Sequence, residues 1–324
     1  MINVPRTVWF ERAIPEEFAD EIGSEFDIAG PGTKSNPFAG IESAAGLMAS
    51  TFVYDESVMD RASNALAIVR TGIGYDRVDV DAATARGIVV CNTPDAPTVS
   101  TAEHAIALMM AVTKGISGSA DRLRSGDRDL YSRHYAIELE GKTLGLVGFG
   151  RIARRVATYA KSLGMEVIVF DPFVTGEGLP VSRVDDLLEM LHRADVVSIH
   201  VPLTGATRGL FDQHLFEAMK PGAFLINTSR GSVVDQDSLL AALDSGRLRG
   251  AGLDVTDPEP LPPAHPLLHR SDVIVTPHVA SATTEGKRRI FRSALAEMSA
   301  VLAGQKPANL VNPEVWTRRR RTAT

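Results

Sequence analysis

Short runs of consecutive apolar, mostly β-branched residues alternate along the whole chain with longer segments whose apolar positions recur every three or four residues. The first pattern suits a strand covered on both faces and the second an amphipathic helix, so the alternation predicts an α/β fold built on parallel sheets. In the second half the predicted strands are 143–148, 166–170, 196–201, 224–227, 252–255 and 273–275, with helices over 152–163, 184–191 and 238–243 between them. The first half repeats the pattern with strands at 7–10, 46–49, 66–70 and 88–91. Ser100, followed three residues later by Glu103, has the form of a capping box and predicts the start of a long helix reaching about Gly115. Its Ala, Ile, Leu and Met content predicts burial between two domains, and a polar stretch, 117–134, separates it from the second sheet. A last helical pattern, 283–302, is long enough to return the chain to the first domain. The expected division is therefore 1–100 with 285–324 in one domain and 101–284 in the other.

Length and composition narrow the class. A chain of 324 residues predicts about two domains. With 23% charged and 44% hydrophobic residues it is neither disordered nor collagen-like nor a coiled coil. Forty acidic against 34 basic residues give a net charge of −6, which argues against a nucleic-acid partner, since phosphate binding needs a basic surface. The single cysteine, Cys91, excludes an internal disulfide and a multi-cysteine zinc site, and reads as a small buried hydrophobe. Nor is there a cluster of metal-ligand residues at credible spacing. No secretory leader is apparent, and the most apolar internal stretch, 105–112, falls well short of the roughly 20 residues that span a membrane. A soluble, cytoplasmic protein without a membrane partner is expected. The Arg318–Arg321 run reads as a solvated terminus rather than a nucleic-acid tag.

A glycine motif gives the first chemistry. Gly148-x-Gly150-x-x-Ala153 follows a predicted strand and opens a predicted helix. That spacing allows a tight turn at Gly148, backbone approach by a pyrophosphate at Gly150, and close packing of helix on strand at Ala153. The helix N-terminus then offers free N–H groups to the phosphates. Asp171 ends the next strand, 23 positions beyond Gly148, where a carboxylate accepts hydrogen bonds from adenosine ribose hydroxyls and repels a 2′-phosphate. Pro172 and Phe173 beside it supply no Arg for such a phosphate, so NAD is expected over NADP. The alternative is an Asp that merely caps a βα turn.

Three further predicted strands end in polar segments: Asn227-Thr228-Ser229-Arg230-Gly231, Asp254-Val255-Thr256-Asp257-Pro258-Glu259-Pro260 and Thr276-Pro277-His278. Ligands of open α/β sheets bind beyond these strand ends. Imidazole titrates near neutral pH and suits proton transfer. A carboxylate beside it favours the imidazolium, and a guanidinium grips carboxylate and carbonyl oxygens through charge-assisted hydrogen bonds. Each has a plainer alternative: a structural ion pair for Arg230, an exposed loop acid for Glu259, a loop histidine for His278. His104, on the long helix, reads as a packing residue.

With these motifs, with Arg70-Thr71-Gly72-Ile73-Gly74-Tyr75-Asp76, Asn92-Thr93-Pro94 and His200-Val201-Pro202-Leu203-Thr204, the chain resembles the D-isomer-specific 2-hydroxyacid dehydrogenases along nearly its whole length. The family includes glyoxylate and hydroxypyruvate reductases, D-lactate dehydrogenases and phosphoglycerate dehydrogenases. The resemblance implies two doubly wound parallel-sheet domains, one a Rossmann dinucleotide-binding domain and one a smaller flavodoxin-like substrate domain, with NAD and substrate in a cleft between them. It implies that Arg230, Glu259 and His278 are catalytic. Cofactor contacts are implied for Thr101, Gly148, Phe149, Gly150, Arg151, Ile152, Asp171, His200, Val201, Pro202 and Thr207. Further ones are implied for Thr228, Ser229, Arg230, Asp254, His278 and Ala280. Ser50, Ile73, Gly74, Arg230 and His278 are implied to bind the substrate, and a homodimer is implied as the assembly.

The implied activity is NAD-dependent interconversion of a small 2-oxo acid and its D-2-hydroxy acid. Phosphoglycerate-using relatives carry an Arg in the loop after an early strand, where this chain has Ala49 followed by Ser50 and Thr51. With no regulatory domain expected after Thr324, this points away from 3-phosphoglycerate and towards glyoxylate, hydroxypyruvate or pyruvate. Two other readings stay open: an NAD(H)-sensing scaffold with little catalysis, and oxidation of another small donor such as phosphite. Formate-oxidising relatives usually have Gln where this chain has Glu259.

Overall fold

The computed structural model of the chain describes residues 6–321 apart from 24, 130, 133, 176 and 177. The chain divides into two compact units, one comprising 1–97 with 284–324 and the other 98–283. In the first, β1 (Thr7–Phe10), α1 (Glu16–Gly23), β2 (Asp27–Ala29), β3 (Gly46–Ala49), α2 (Glu56–Arg61), β4 (Ala67–Arg70), α3 (Val80–Ala85) and β5 (Val89–Cys91) build a parallel sheet of order β2-β1-β3-β4-β5. This is the flavodoxin-like order. Successive strand residues face different cores: Val8 and Phe10 pack with Phe18 of α1, whereas Trp9 packs with Val58 and Met59 of α2. Burial on both faces is why these strands read as unbroken apolar runs. Asp55 and Asp79 start α2 and α3 by accepting the N–H groups of Val58 and Ala82. The edge strand β2 has no apolar run because it is largely exposed, and the pattern did not predict it.

The second unit runs α4 (Thr98–Thr113), α5 (Ile116–Arg124), β6 (Thr143–Val147), α6 (Arg151–Ser162), β7 (Glu166–Phe170), β8 (Ser182–Arg183), α7 (Leu187–Arg193), β9 (Val196–Ile199), α8 (Gln213–Ala218), β10 (Ala223–Asn227), α9 (Gln236–Asp244), β11 (Leu248–Leu253) and β12 (Val273–Val275). Its parallel sheet has the order β12-β11-β10-β9-β6-β7-β8, the Rossmann arrangement, in which the order of strand addition reverses between β6 and β9. Four expectations need correction here. The capping box does not form: α4 opens at Thr98, just after Pro97, so Ser100 lies inside the helix, its hydroxyl bonded to that of Thr283 at 2.7 Å, and Glu103 is exposed. α7 begins three residues late because Asp186 caps it through Leu188 N–H. β11 covers 248–253 rather than 252–255: Gly250 and Gly252 conceal the strand, yet Cβ atoms there would press on Val112 at 2.9 Å and Leu108 at 3.0 Å of α4. The polar stretch 117–134 holds most of α5, while 130 and 133 lie outside the described residues.

After residue 283 the chain forms α10 (Thr284–Leu302), which covers β3, β4 and β5. Leu310 then pairs antiparallel with Cys91, and Asn312, buried beside β5, accepts Val90 N–H and donates to Ile88 O and Thr84 Oγ1. The basic tail is solvated only in part: Arg318 and Arg321 are exposed, whereas Arg319 and Arg320 pack on the chain. Arg320 donates to the carbonyls of Arg86 and Ser63 at the C-terminal ends of α3 and α2, and Arg319 lies 3.6 Å above the Trp316 ring. Carbonyls left open at helix ends attract such cations.

Candidate active site

β6 ends in the glycine turn. Gly148 has φ 89°, and a Cβ there would sit 2.8 Å from His200 O, so only glycine fits. Gly150 differs: a Cβ would meet no protein atom within 4 Å, and the residue precedes α6 with no side chain capping the first turn. Room above the backbone and open N–H groups at the start of a 12-residue helix are what a pyrophosphate requires. Ala153 is fully buried, and Phe149 is buried beneath Arg154, whose guanidinium lies 4.5 Å from the ring centroid. Asp171 follows β7, one carboxylate oxygen accepting Phe149 N–H at 2.7 Å and the other Phe173 N–H at 2.8 Å. The acid is thereby fixed against the turn. Arg151 and Ile152 open α6.

Loops beyond β9, β10, β11 and β12 complete the edge. Thr207 ties the 202–207 loop by donating to Pro202 O and accepting Thr204 N–H. His200 bonds Ser198 Oγ through Nε2 at 2.9 Å, and burial pushes its pKa down to about 4, so it is a neutral imidazole. Val201 lies against Gly148. At the end of β10, Asn227 accepts the N–H and hydroxyl of Ser229 and donates to Arg230 O, and Arg230 Nη1 donates to Ser229 O at 2.8 Å. Thr228 Oγ1 is buried with no hydrogen-bond partner among the described residues. Thr101, in α4, is buried.

His278, just past β12, is the one non-glycine among the described residues with positive φ, at 53°. Its Nδ1 is 2.6 Å from Glu259 Oε1, on the loop after β11. That hydrogen bond leaves Nε2 as the outward nitrogen. The strained turn is held from behind by Asp254, whose side chain is fully buried. Asp254 O accepts His278 N–H, Oδ1 accepts Val279 N–H and Thr276 Oγ1–H, and Oδ2 accepts Ala280 N–H. Burial alone would raise the Asp254 pKa, but hydrogen bonds from His104, Thr276 and these amides outweigh it and hold it low. The carboxylate of Asp254, one of the expected cofactor contacts, lies beneath the loop and clamps it. His104 is also more than packing: its Nε2 lies 3.0 Å from Thr276 Oγ1 and 3.4 Å from Asp254 Oδ1. Neither role shows in a local motif, because His104 is 150 or more residues from its partners and Asp254 is 22–26 residues from the loop it clamps.

In the other unit, Ser50, Ile73 and Gly74 stand on loops after β3 and β4. Asn92 Nδ2 holds Ile73 O at 2.7 Å, and Ser50 N–H donates to Glu11, a buried acid that sequence reasoning missed.

Residues 106–280, just over half of the chain, match the family model described as D-isomer specific 2-hydroxyacid dehydrogenase, NAD binding domain. The chain is 41% identical over 267 residues to a glyoxylate reductase of Thermofilum pendens, covering 81% of this chain and 79% of that protein. The chain belongs to the D-isomer-specific 2-hydroxyacid dehydrogenases. A D-3-phosphoglycerate dehydrogenase of Methanocaldococcus jannaschii is 39% identical over 79% of this chain, which spans about half (49%) of that relative's length. The solved structure of TT0316 protein from Thermus thermophilus superposes with a TM-score of 0.87 at 39% identity, over 94% of this chain and 99% of that one. As a member of this family the protein is an NAD-dependent oxidoreductase of small 2-hydroxy and 2-oxo acids. None of its described helices is long and apolar enough to cross a membrane.

Proposed function

We propose that this dehydrogenase reduces a small 2-oxo acid to its D-2-hydroxy acid, reversibly, with His278 as general acid/base, Glu259 as its partner and Arg230 as the grip on the substrate. The observation that carries this reading is the His278–Glu259 hydrogen bond of 2.6 Å at the C-terminal edge of a Rossmann sheet. When bound, the nicotinamide ring supplies the hydride for the carbonyl carbon. The chain's residues do the rest. Glu259 fixes Nδ1 by its hydrogen bond and so orients the ring, and Nε2–H delivers the proton to the developing alkoxide. Arg230 neutralises the substrate carboxylate and polarises the carbonyl. The amides of Ile73 and Gly74, with Ser50, are assigned to the acid's other side. The unit 98–283 takes the dinucleotide role and the unit carrying β1–β5 the substrate role. Asp171 selects NAD over NADP, because a 2′-phosphate would meet its carboxylate.

NADH oxidation with glyoxylate, pyruvate and hydroxypyruvate tests this. Turnover is expected with at least one of them, slower with NADPH, and His278→Ala is expected to lower kcat about 10²–10⁴-fold. Full activity in that variant would remove His278 from the mechanism. A homodimer is supported by large apolar side chains exposed on one stretch: Ile116 and Leu123 of α5, Tyr131 and Tyr135, the last two 97% and 77% exposed. Light scattering should give twice the chain mass, and a monomer at micromolar concentration would refute it. The expected cytoplasmic location rests on the sequence.

A further inference from the structure

At the C-terminal edge of the five-stranded sheet, β1 and β3 lie side by side. The helix after β1 and the helix after β3 cover opposite faces, since Phe18 and Ile22 of α1 belong to one core and Val58 and Met59 of α2 to the other. This is the topological switch point, the crevice where open parallel sheets take up ligands. Here it is filled by the chain itself. Glu11, one residue past β1 and 5% exposed, directs its carboxylate into the loop that follows β3. Three consecutive backbone N–H groups donate to it: Ser50 to Oε2 at 2.5 Å, and Thr51 and Phe52 to Oε1, the latter at 3.0 Å. The hydroxyls of Thr51, at 2.8 Å, and Tyr54, at 3.1 Å, complete the shell.

Successive N–H groups converging on one point make a nest for an anion. A nest at a switch point suits the phosphate or carboxylate of a ligand, yet this one already holds a carboxylate. A second anion brought to the loop would find each donor engaged and a like charge in the way. We propose that Glu11 is a specificity-determining residue: it occupies the loop's anion nest and restricts the enzyme to 2-oxo and 2-hydroxy acids that carry no second anionic group. The inference rests on the assignment of Ser50 to the substrate made under the proposed function, and takes the loop that begins there to face the substrate's distal end. It separates the glyoxylate, pyruvate and hydroxypyruvate class from acids bearing a distal phosphate or carboxylate, on an observation independent of the missing Arg at Ala49.

The test compares the intact enzyme with Glu11→Ser, which frees the nest, and Glu11→Gln, which keeps an acceptor oxygen without the charge. Wild-type kcat/KM is expected to be at least 100-fold lower for oxaloacetate and 3-phosphohydroxypyruvate than for pyruvate or hydroxypyruvate. Both variants are expected to narrow that ratio at least tenfold. Inorganic phosphate is expected to raise the Tm of Glu11→Ser and to leave the wild type unchanged. Wild-type turnover of either dianionic acid within threefold of hydroxypyruvate overturns the proposal, as does a Glu11→Ser protein whose Tm ignores phosphate. If no 2-oxo acid is reduced, the functional reading fails and the phosphate titration alone decides whether Glu11 fills an anion nest. If Glu11→Ser does not fold, the wild-type panel and Glu11→Gln decide.

Discussion

A Cβ on Gly231 would lie 2.1 Å from both the carbonyl carbon and the oxygen of Thr256. The loop bearing Arg230 therefore rests directly on the backbone of the loop bearing Glu259, and no side chain can stand between them. Backbone atoms yield less readily than the end of a flexible side chain, so Gly231→Ala must displace one loop or the other. The expected cost is about 1–3 kcal/mol of stability, as for overpacked sites, together with a fall in kcat/KM, read by urea unfolding and NADH oxidation. Unchanged activity would mean that the contact does not position Arg230. The sequence shows the Arg-Gly pair but not this reason for it, because the partner backbone lies 25 positions away. His278 was legible as a residue type after a strand; its φ of 53° was not, since tertiary hydrogen bonds donated to Asp254 by the turn's own amides hold it there.

Between elements, α4 reaches the His278 turn through His104 and Thr276. Thr276 donates its only hydroxyl proton to Asp254 at 2.6 Å, so His104 Nε2 is the donor towards Thr276 Oγ1 at 3.0 Å and Asp254 Oδ1 at 3.4 Å. Loss of either residue should loosen the turn that carries the proton donor without touching substrate or cofactor. Thr276→Val and His104→Leu are each expected to lower kcat about threefold to tenfold with little change in KM, with His104→Asn partly restoring it. The double variant should be no slower than the worse single one. Additive losses, or a lower Tm with unchanged kcat, would mean packing only. Elements with both faces covered were readable from apolar runs: β1, β3, β7 and β12 fall at the expected residues. What escaped were exposed edges, β2 and β8, and the glycines of β11, whose smallness answers to Leu108 and Val112 on another element.

Over the whole molecule, Asn312 and Arg320 tie residues 312–320 to β5 and to the ends of α2 and α3, more than 200 positions away in sequence. A hydrophobic pattern reports that a helix such as α10 exists and is long, whereas its packing partner depends on sheet order, which the pattern does not encode. The same limit hides half-buried polar groups, and one of these contributes to acid sensitivity. His200 is neutral in the native unit because burial lowers its pKa to about 4, while in the unfolded chain imidazole protonates near 6.5. Between those values the unfolded chain binds the extra proton, so stability rises with pH there. It is full above about pH 6.5 and declines as pH falls towards 4, by up to about 3 kcal/mol. Asp254, held below 3.8, weakens the fold only at still lower pH, which keeps the two effects apart. Urea unfolding at pH 7.5, 5.5 and 4.5 should show this slope in the wild type and a flatter one in His200→Gln. Equal slopes would move the acid sensitivity to another group.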